Sequence, residues 1–160
     1  MSRITAGILT ISDSCSRGER EDLSGTIIYD HLEDHGYHIK WRTIIADDAD
    51  GISECLVRWA NDVNLIITTG GTGFSPRDVT PEATSKVIDR PAPGFAEMLR
   101  WTGYKVNPRA ILSRGVAGMR NQTLIINLPG SPKAVTEGLE VLLPILPHAL
   151  ELMLGMSSDH

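Results

Sequence analysis

Apolar positions fall in short runs separated by polar turns, and the spacing within each run tells strands from helices. Residues 4–12, Ile-Thr-Ala-Gly-Ile-Leu-Thr-Ile-Ser, form a β-rich apolar run and predict a first strand. Asp13 to Asp22 is polar and contains glycine, a predicted loop. With Ser24 as N-cap, Ile27, Ile28 and Leu32 mark the apolar stripe of a helix to about His35, where Gly36 stops it. Residues 37–45 alternate and predict a second strand, followed by the acidic turn 46–50. Ile52, Cys55, Leu56, Trp59 and Ala60 recur at the spacing of one buried helix face, which Asp50 can cap. Leu65 to Thr69 is a short continuous apolar run, the form of a strand covered on both faces.

Beyond a glycine-rich stretch, Thr80 as N-cap and Pro81 as first residue launch a helix to about Arg90. Pro91 and Pro93 break the chain, and Phe95, Met98, Leu99 and Thr102 mark a further short helix. Residues 108–113 give a weak signal. Val116–Arg120 and Thr123–Leu128 predict two strands joined at Asn121-Gln122. Ser131 and Pro132 then open a helix to about Leu143, and Pro144 and Pro147 divide it from a last helix ending near Gly155. This order predicts one α/β domain over residues 1–155 with a frayed tail at 156–160. The architecture is a three-layer α/β/α sandwich whose sheet is mostly parallel, with one antiparallel pairing from the late hairpin.

Composition narrows the class. A chain of 160 residues is long enough for one well-buried core. A net charge of −5 with no basic run argues against a nucleic-acid partner. No stretch approaches the ~20 apolar residues of a membrane span. The N-terminus runs into a strand with no signal-peptide core, and Cys15 and Cys55 form no disulfide framework, so a reducing cytoplasm is the simplest reading. His31 and His35 are four apart, but no third ligand joins them.

The candidate chemistry lies at strand ends. Gly70, Gly71, Thr72 and Gly73 follow the third strand and precede a helix, where α/β proteins seat phosphates on backbone N–H groups. Neither the P-loop nor the dinucleotide fingerprint fits, and a plain tight turn is the alternative. Arg77 can neutralise a phosphate and Asp78 can hold Mg²⁺, or the two form a surface ion pair. Asp47 and Asp48 end the second strand and face the same crevice. Pro129, Gly130 and Ser131 make a second strand-to-helix turn, with Lys133 either on a phosphate or solvated. Ser12 and Asp13 end the first strand, at the crevice or in an ordinary turn.

These segments together resemble the molybdenum-cofactor biosynthesis family. The resemblance rests on Thr-Thr-Gly-Gly-Thr-Gly-Phe-Ser-Pro-Arg-Asp-Val-Thr-Pro-Glu-Ala-Thr at 68–84 and Leu-Ile-Ile-Asn-Leu-Pro-Gly-Ser-Pro-Lys-Ala-Val at 124–135. Ala-Ile-Leu-Ser-Arg-Gly-Val-Ala-Gly at 110–118 and Ile-Leu-Thr-Ile-Ser-Asp at 8–13 complete it in the family's order. It is most similar to the branch that transfers AMP from ATP to the terminal phosphate of molybdopterin, with Mg²⁺. The resemblance implies a cytoplasmic homotrimer whose product passes to a molybdate-inserting protein. A binding-only sister group is the alternative. Carried over by position, Asp78 and Asp47 (with Asp48 as rival) position metal and triphosphate. Gly70, Gly71, Thr72 and Gly73 line the nucleotide site, with Pro129, Gly130 and Ser131 opposite. Ser113 matches a serine that holds the pterin, beside Arg114.

Overall fold

The structure, a computed structural model, describes residues 3–156. Six strands make one sheet in the order β2-β1-β3-β6-β5-β4. They are β1 (Thr5–Ile11), β2 (His38–Ile45), β3 (Leu65–Thr69), β4 (Arg90–Pro91), β5 (Ala117–Arg120) and β6 (Thr123–Leu128). The first four in that order run parallel, as the β-α-β rhythm predicts. The hairpin β5–β6 is antiparallel, and Asn121 turns it with φ of 53°.

The described residues hold seven helices: α1 (Asp13–Ser16), α2 (Leu23–Asp34), α3 (Ala49–Trp59), α4 (Thr80–Val87), α5 (Pro93–Val106), α6 (Pro132–Leu142) and α7 (Leu146–Met153). A 3₁₀ turn spans Pro108–Leu112. Alternation along β1 sorts the two faces. Ala6 and Ile8 pack with Ile28, Leu32, Val135 and Leu139 of α2 and α6, while Leu9 and Ile11 pack with Ile52, Leu56 and Trp59 of α3. The three layers are therefore α2, α5, α6 and α7 on one face, the sheet, and α3 and α4 on the other.

Several sequence expectations are corrected. The stretch expected as a loop after β1 opens with the four-residue α1, capped by Ser12, whose Oγ accepts from Cys15 N at 3.1 Å. Asp22, not Ser24, caps α2, because its Oδ1 takes Gly25 N at 2.9 Å while Ser24 Oγ donates to Gly130 O at 2.7 Å. Asp48, not Asp50, caps α3. Thr80 is the first residue of α4 rather than its cap, and the helix ends at Val87. Pro91 does not merely break the chain. It sits in the edge strand β4, and the residues on either side of that strand make the bonds, Asp89 N to Met119 O and Ala92 N to Ala117 O, both at 2.9 Å. A proline is tolerated there because it owes the ladder no donor. The sheet thus has two antiparallel pairings rather than one. The short helix expected after it is 14 residues long. The tail expected to fray falls, from residue 157 on, outside the described residues.

Candidate functional site

The parallel strands β1, β2, β3 and β6 all end on one edge, and the loops leaving them meet there. Gly70 adopts φ of +98°, and a Cβ on it would stand 2.2 Å from Ile11 O. Only glycine lets the loop cross β1 this closely. Gly71 follows with φ of +68°. Thr80 closes the turn, its Oγ1 donating to Gly70 O at 2.9 Å and its N to Gly71 O at 3.1 Å. This tertiary use of the hydroxyl is why Thr80 does not cap its helix. Gly70 N donates to Leu128 O at 3.1 Å, and Gly130 sits so close that its Cβ would lie 3.3 Å from Gly70 Cα. The two glycine-bearing turns therefore touch.

On the β1–β2 side, three charged groups lock together. Asp13 N donates to Asp47 Oδ2 and Asp47 N donates to Asp13 Oδ1, both at 3.0 Å. Arg77 grips Asp13 with Nε and Nη2, each at 3.0 Å. The Arg77 guanidinium, helped by the Asp47 amide, holds the Asp13 carboxyl below its ordinary 3.8. Asp47 is pushed above 3.8, first by burial and then by the negative charges of Asp13 and Asp78, against the pull of the Asp13 amide. Ser12 is taken up as the α1 cap.

Asp47 and Asp78 both face the glycine loop. Asp47 Oδ1 stands 3.1 Å from where a Gly71 Cβ would be, and Asp78 Oδ2 stands 2.8 Å from that of Gly73. Asp78 Oδ2 accepts from Ser75 N at 3.0 Å. Neither Asp47 Oδ1 nor Asp78 Oδ1 accepts a hydrogen bond among the described residues. Among those residues, no group of three or more His, Cys, Asp or Glu could cage a metal. Mg²⁺ commonly takes one or two carboxylates together with substrate phosphates, and this pair fits that pattern.

Arg114 works as a staple for the loop. Its Nε donates to Gly73 O at 2.8 Å, its Nη2 to Asp78 O at 2.9 Å and its Nη1 to Glu82 Oε1 at 2.7 Å. Its own N donates to Thr72 O at 2.8 Å. Ser113, one residue earlier, accepts from Gly115 N at 3.3 Å and borders open space.

That space is a cavity of about 520 Å³. Gly71, Thr72, Gly73 and Asp78 line one end, and Pro129, Gly130, Ser131 and Lys133 the adjoining wall. Asn127 supports both. It is buried, and its Nδ2 donates to Thr68 and Thr84 Oγ1 at 2.9 and 3.1 Å, while its Oδ1 accepts from Val116 N at 3.1 Å.

The structure brings Asp47, Asp78 and the glycine loop together, and sets Ser113, Gly130 and Ser131 on the cavity. Asp13 and Arg77 bind one another beside it. Sequence reasoning missed the outer wall of α5 and the 3₁₀ turn, where Leu99, Arg100, Gly103, Val106, Arg109 and Leu112 line the cavity. It counted Asn127 only as part of the second strand-to-helix turn, with no role of its own, and it missed Glu137. Asn127 carried one readable signal, a polar residue inside an apolar strand.

Residues 7–148 match the family model described as a probable molybdopterin binding domain. The chain is 44% identical to the molybdopterin adenylyltransferase of Helicobacter pylori (strain J99), covering 97% of this chain and 90% of that one. It is 40% identical to the molybdenum cofactor synthesis protein cinnamon of Drosophila melanogaster, covering 96% of this chain but 26% of that longer protein. The crystal structure of the molybdopterin biosynthesis enzyme MoaB of Thermus thermophilus superposes with a TM-score of 0.90 at 47% identity, covering 95% of this chain and 97% of that one.

Proposed function

The chain belongs to the family of probable molybdopterin binding domains, and on that premise we infer that its site adenylylates molybdopterin. The activity is that of a molybdopterin adenylyltransferase in molybdenum cofactor biosynthesis, a nucleotidyl transfer. ATP is the donor. An oxygen of the terminal phosphate of molybdopterin attacks the α-phosphorus of ATP, the bond to the β-phosphate breaks, and pyrophosphate leaves. The attacking oxygen is already anionic, so no enzyme nucleophile or strong base is needed.

One observation carries this reading. The glycine loop, the Pro129–Ser131 turn at the start of α6, and Asp78 all border a single cavity, so two phosphate-binding turns face one space. Nucleotidyl transfer depends on positioning and charge neutralisation. Backbone N–H groups of the glycine loop meet phosphate oxygens, while Lys133 and Arg109 offset charge across the cavity. Asp47 and Asp78 would hold Mg²⁺, which neutralises the triphosphate when bound. Arg114 keeps the Asp78 backbone fixed.

Self-association as a homotrimer fits helix α5, which buries Ala96 and leaves Trp101, Tyr104 and Val106 exposed. A cytoplasmic setting fits the absence, among the described residues, of any helix long and apolar enough to cross a membrane. The product would pass to a molybdate-inserting protein. Incubating the protein with ATP, Mg²⁺ and molybdopterin and measuring pyrophosphate tests the reading. Release that depends on both substrates is expected. Molybdopterin binding with no pyrophosphate would turn the protein into a carrier.

A further inference from the structure

Two charged groups on the cavity wall take no part in the transfer step: Arg100, whose Nη1 donates to Gly115 O at 2.9 Å, and Glu137. Glu137 lies on α6, four residues after Lys133 and six after the N-cap Ser131. It lines the cavity together with Leu99 and Gly103 of α5 and its own neighbour Gly138. At the rise of an α-helix, Glu137 stands roughly 9 Å along the axis from Ser131. Ser131 adjoins the touching glycine turns, so it marks the phosphate end, and Glu137 belongs to the far end, walled by Leu99 and Gly103.

Its carboxylate has no partner there. Glu137 is half-buried, and among the described residues it accepts no hydrogen bond and joins no ion pair. Lys133, one turn earlier on the same helix, stands at the spacing that normally pairs, yet the two do not meet. The Glu137 oxygens are reached by solvent rather than sealed off, and so are free to accept a ligand's donors. The carboxylate faces a space large enough for a fused ring.

We propose that Glu137 reads the ring edge of the pterin and so assigns this end of the cavity to molybdopterin rather than to adenine. The inference rests on the function proposed above. A pterin presents its 2-amino N–H and the adjacent ring N3–H side by side, two donors that a carboxylate accepts together. Adenine presents an amino donor next to a ring-nitrogen acceptor, whose lone pair a carboxylate repels. The same group therefore welcomes one heterocycle and rejects the other. The nucleotide base then lies outside this pocket, and the two substrates meet only through their phosphates at the glycine rim.

Glu137→Gln tests this, since it keeps the shape and turns one acceptor into a donor. Free 2-amino-4-oxopteridine is titrated against wild type and variant by its fluorescence, with AMP in parallel, and matched melting curves check the fold. Expected is pterin binding weakened at least about tenfold, with AMP binding unchanged within about twofold. In turnover, the KM for molybdopterin rises by a similar factor, while kcat and the KM for ATP stay within about twofold. Equal pterin binding by both proteins overturns the inference. So does a wild type that binds no pterin, or a loss that falls on AMP instead. A wild type that binds pterin without releasing pyrophosphate sinks only the catalytic reading, and the titration still decides the role of Glu137.

Discussion

On the β1–β2 side of the glycine loop, Asp13, Asp47 and Arg77 are tied to one another by hydrogen bonds, with Asp47 Oδ1 left open. On the other side, Lys133, Arg109 and Glu137 border an open cavity with no ion pair among them. The first region is set before any ligand arrives. The second has exposed or half-buried charges that no group among the described residues engages. Preorganised charge suits the centre where phosphorus is transferred, because nothing there has to reorganise during the step. Unpaired groups suit recognition, because each demands a particular ligand atom.

The largest test of this division is Asp78→Asn, at the glycine rim where the two regions meet. Transfer should fall on the order of 10²–10³-fold, as when one preorganised electrostatic group is removed, with the pterin still bound. Pyrophosphate release and pterin fluorescence read the two halves separately, and a parallel loss of both would erase the boundary. Gly70→Ala strikes the wall that the regions share. With φ of +98° and Ile11 O 2.2 Å from the new Cβ, it should cost about 2–4 kcal/mol in urea unfolding. A smaller effect follows for Arg77→Ala. The KM for ATP should rise about tenfold, whereas the melting temperature should hardly move, because exposed ion pairs contribute little.

The smallest effect concerns pH. Asp13, held below 3.8 by Arg77 and the Asp47 amide, adds stability that is present above 3.8 and lost as pH falls through its folded value. Asp47, held above 3.8 by burial, works in the opposite sense. Its contribution is present below 3.8 and lost as pH rises through its folded value. Asp47→Asn in metal-free buffer should therefore melt at or above wild type at pH 7, with the gap closing as the pH approaches 3.8. A variant that melts well below wild type at pH 7 would show that the acidic cluster stabilises the fold instead of straining it.

The sequence reading reached the turns at the strand ends far better than the outer wall of the cavity. Gly70, Gly71, Asp78 and the Pro129–Ser131 turn are local signals, each a strand end beside a helix start. The parallel core was equally readable, because a short apolar run such as Leu65–Ile67, bounded by turn signals, suits a strand covered on both faces. The cavity was not. Its outer wall comes from α5 and the 3₁₀ turn, which are apart from α6 in sequence and become a wall only by packing. The misplaced caps have a related cause. Ser24 and Thr80 stand at helix starts with the right chemistry, yet their hydroxyls donate to Gly130 O and Gly70 O. Propensity sees a cap, and tertiary structure spends the same atom elsewhere. Pro91 misled in the other direction, since an edge strand has room for it.

The pairing of β3 with β6 also bears on how the protein is made. Thr69 donates its hydroxyl to Pro129 O across 60 residues of chain. A nascent chain that has emerged only as far as Ser113 already carries Asp13, Asp47 and Asp78, yet β3 still shows a bare edge. Such edges invite pairing between chains. Closing so long a loop to form parallel neighbours is slow compared with local hairpins and helices. The growing polypeptide therefore passes through an interval of heightened aggregation risk that ends when β6 and α6 dock. In refolding, activity should return together with the completed sheet.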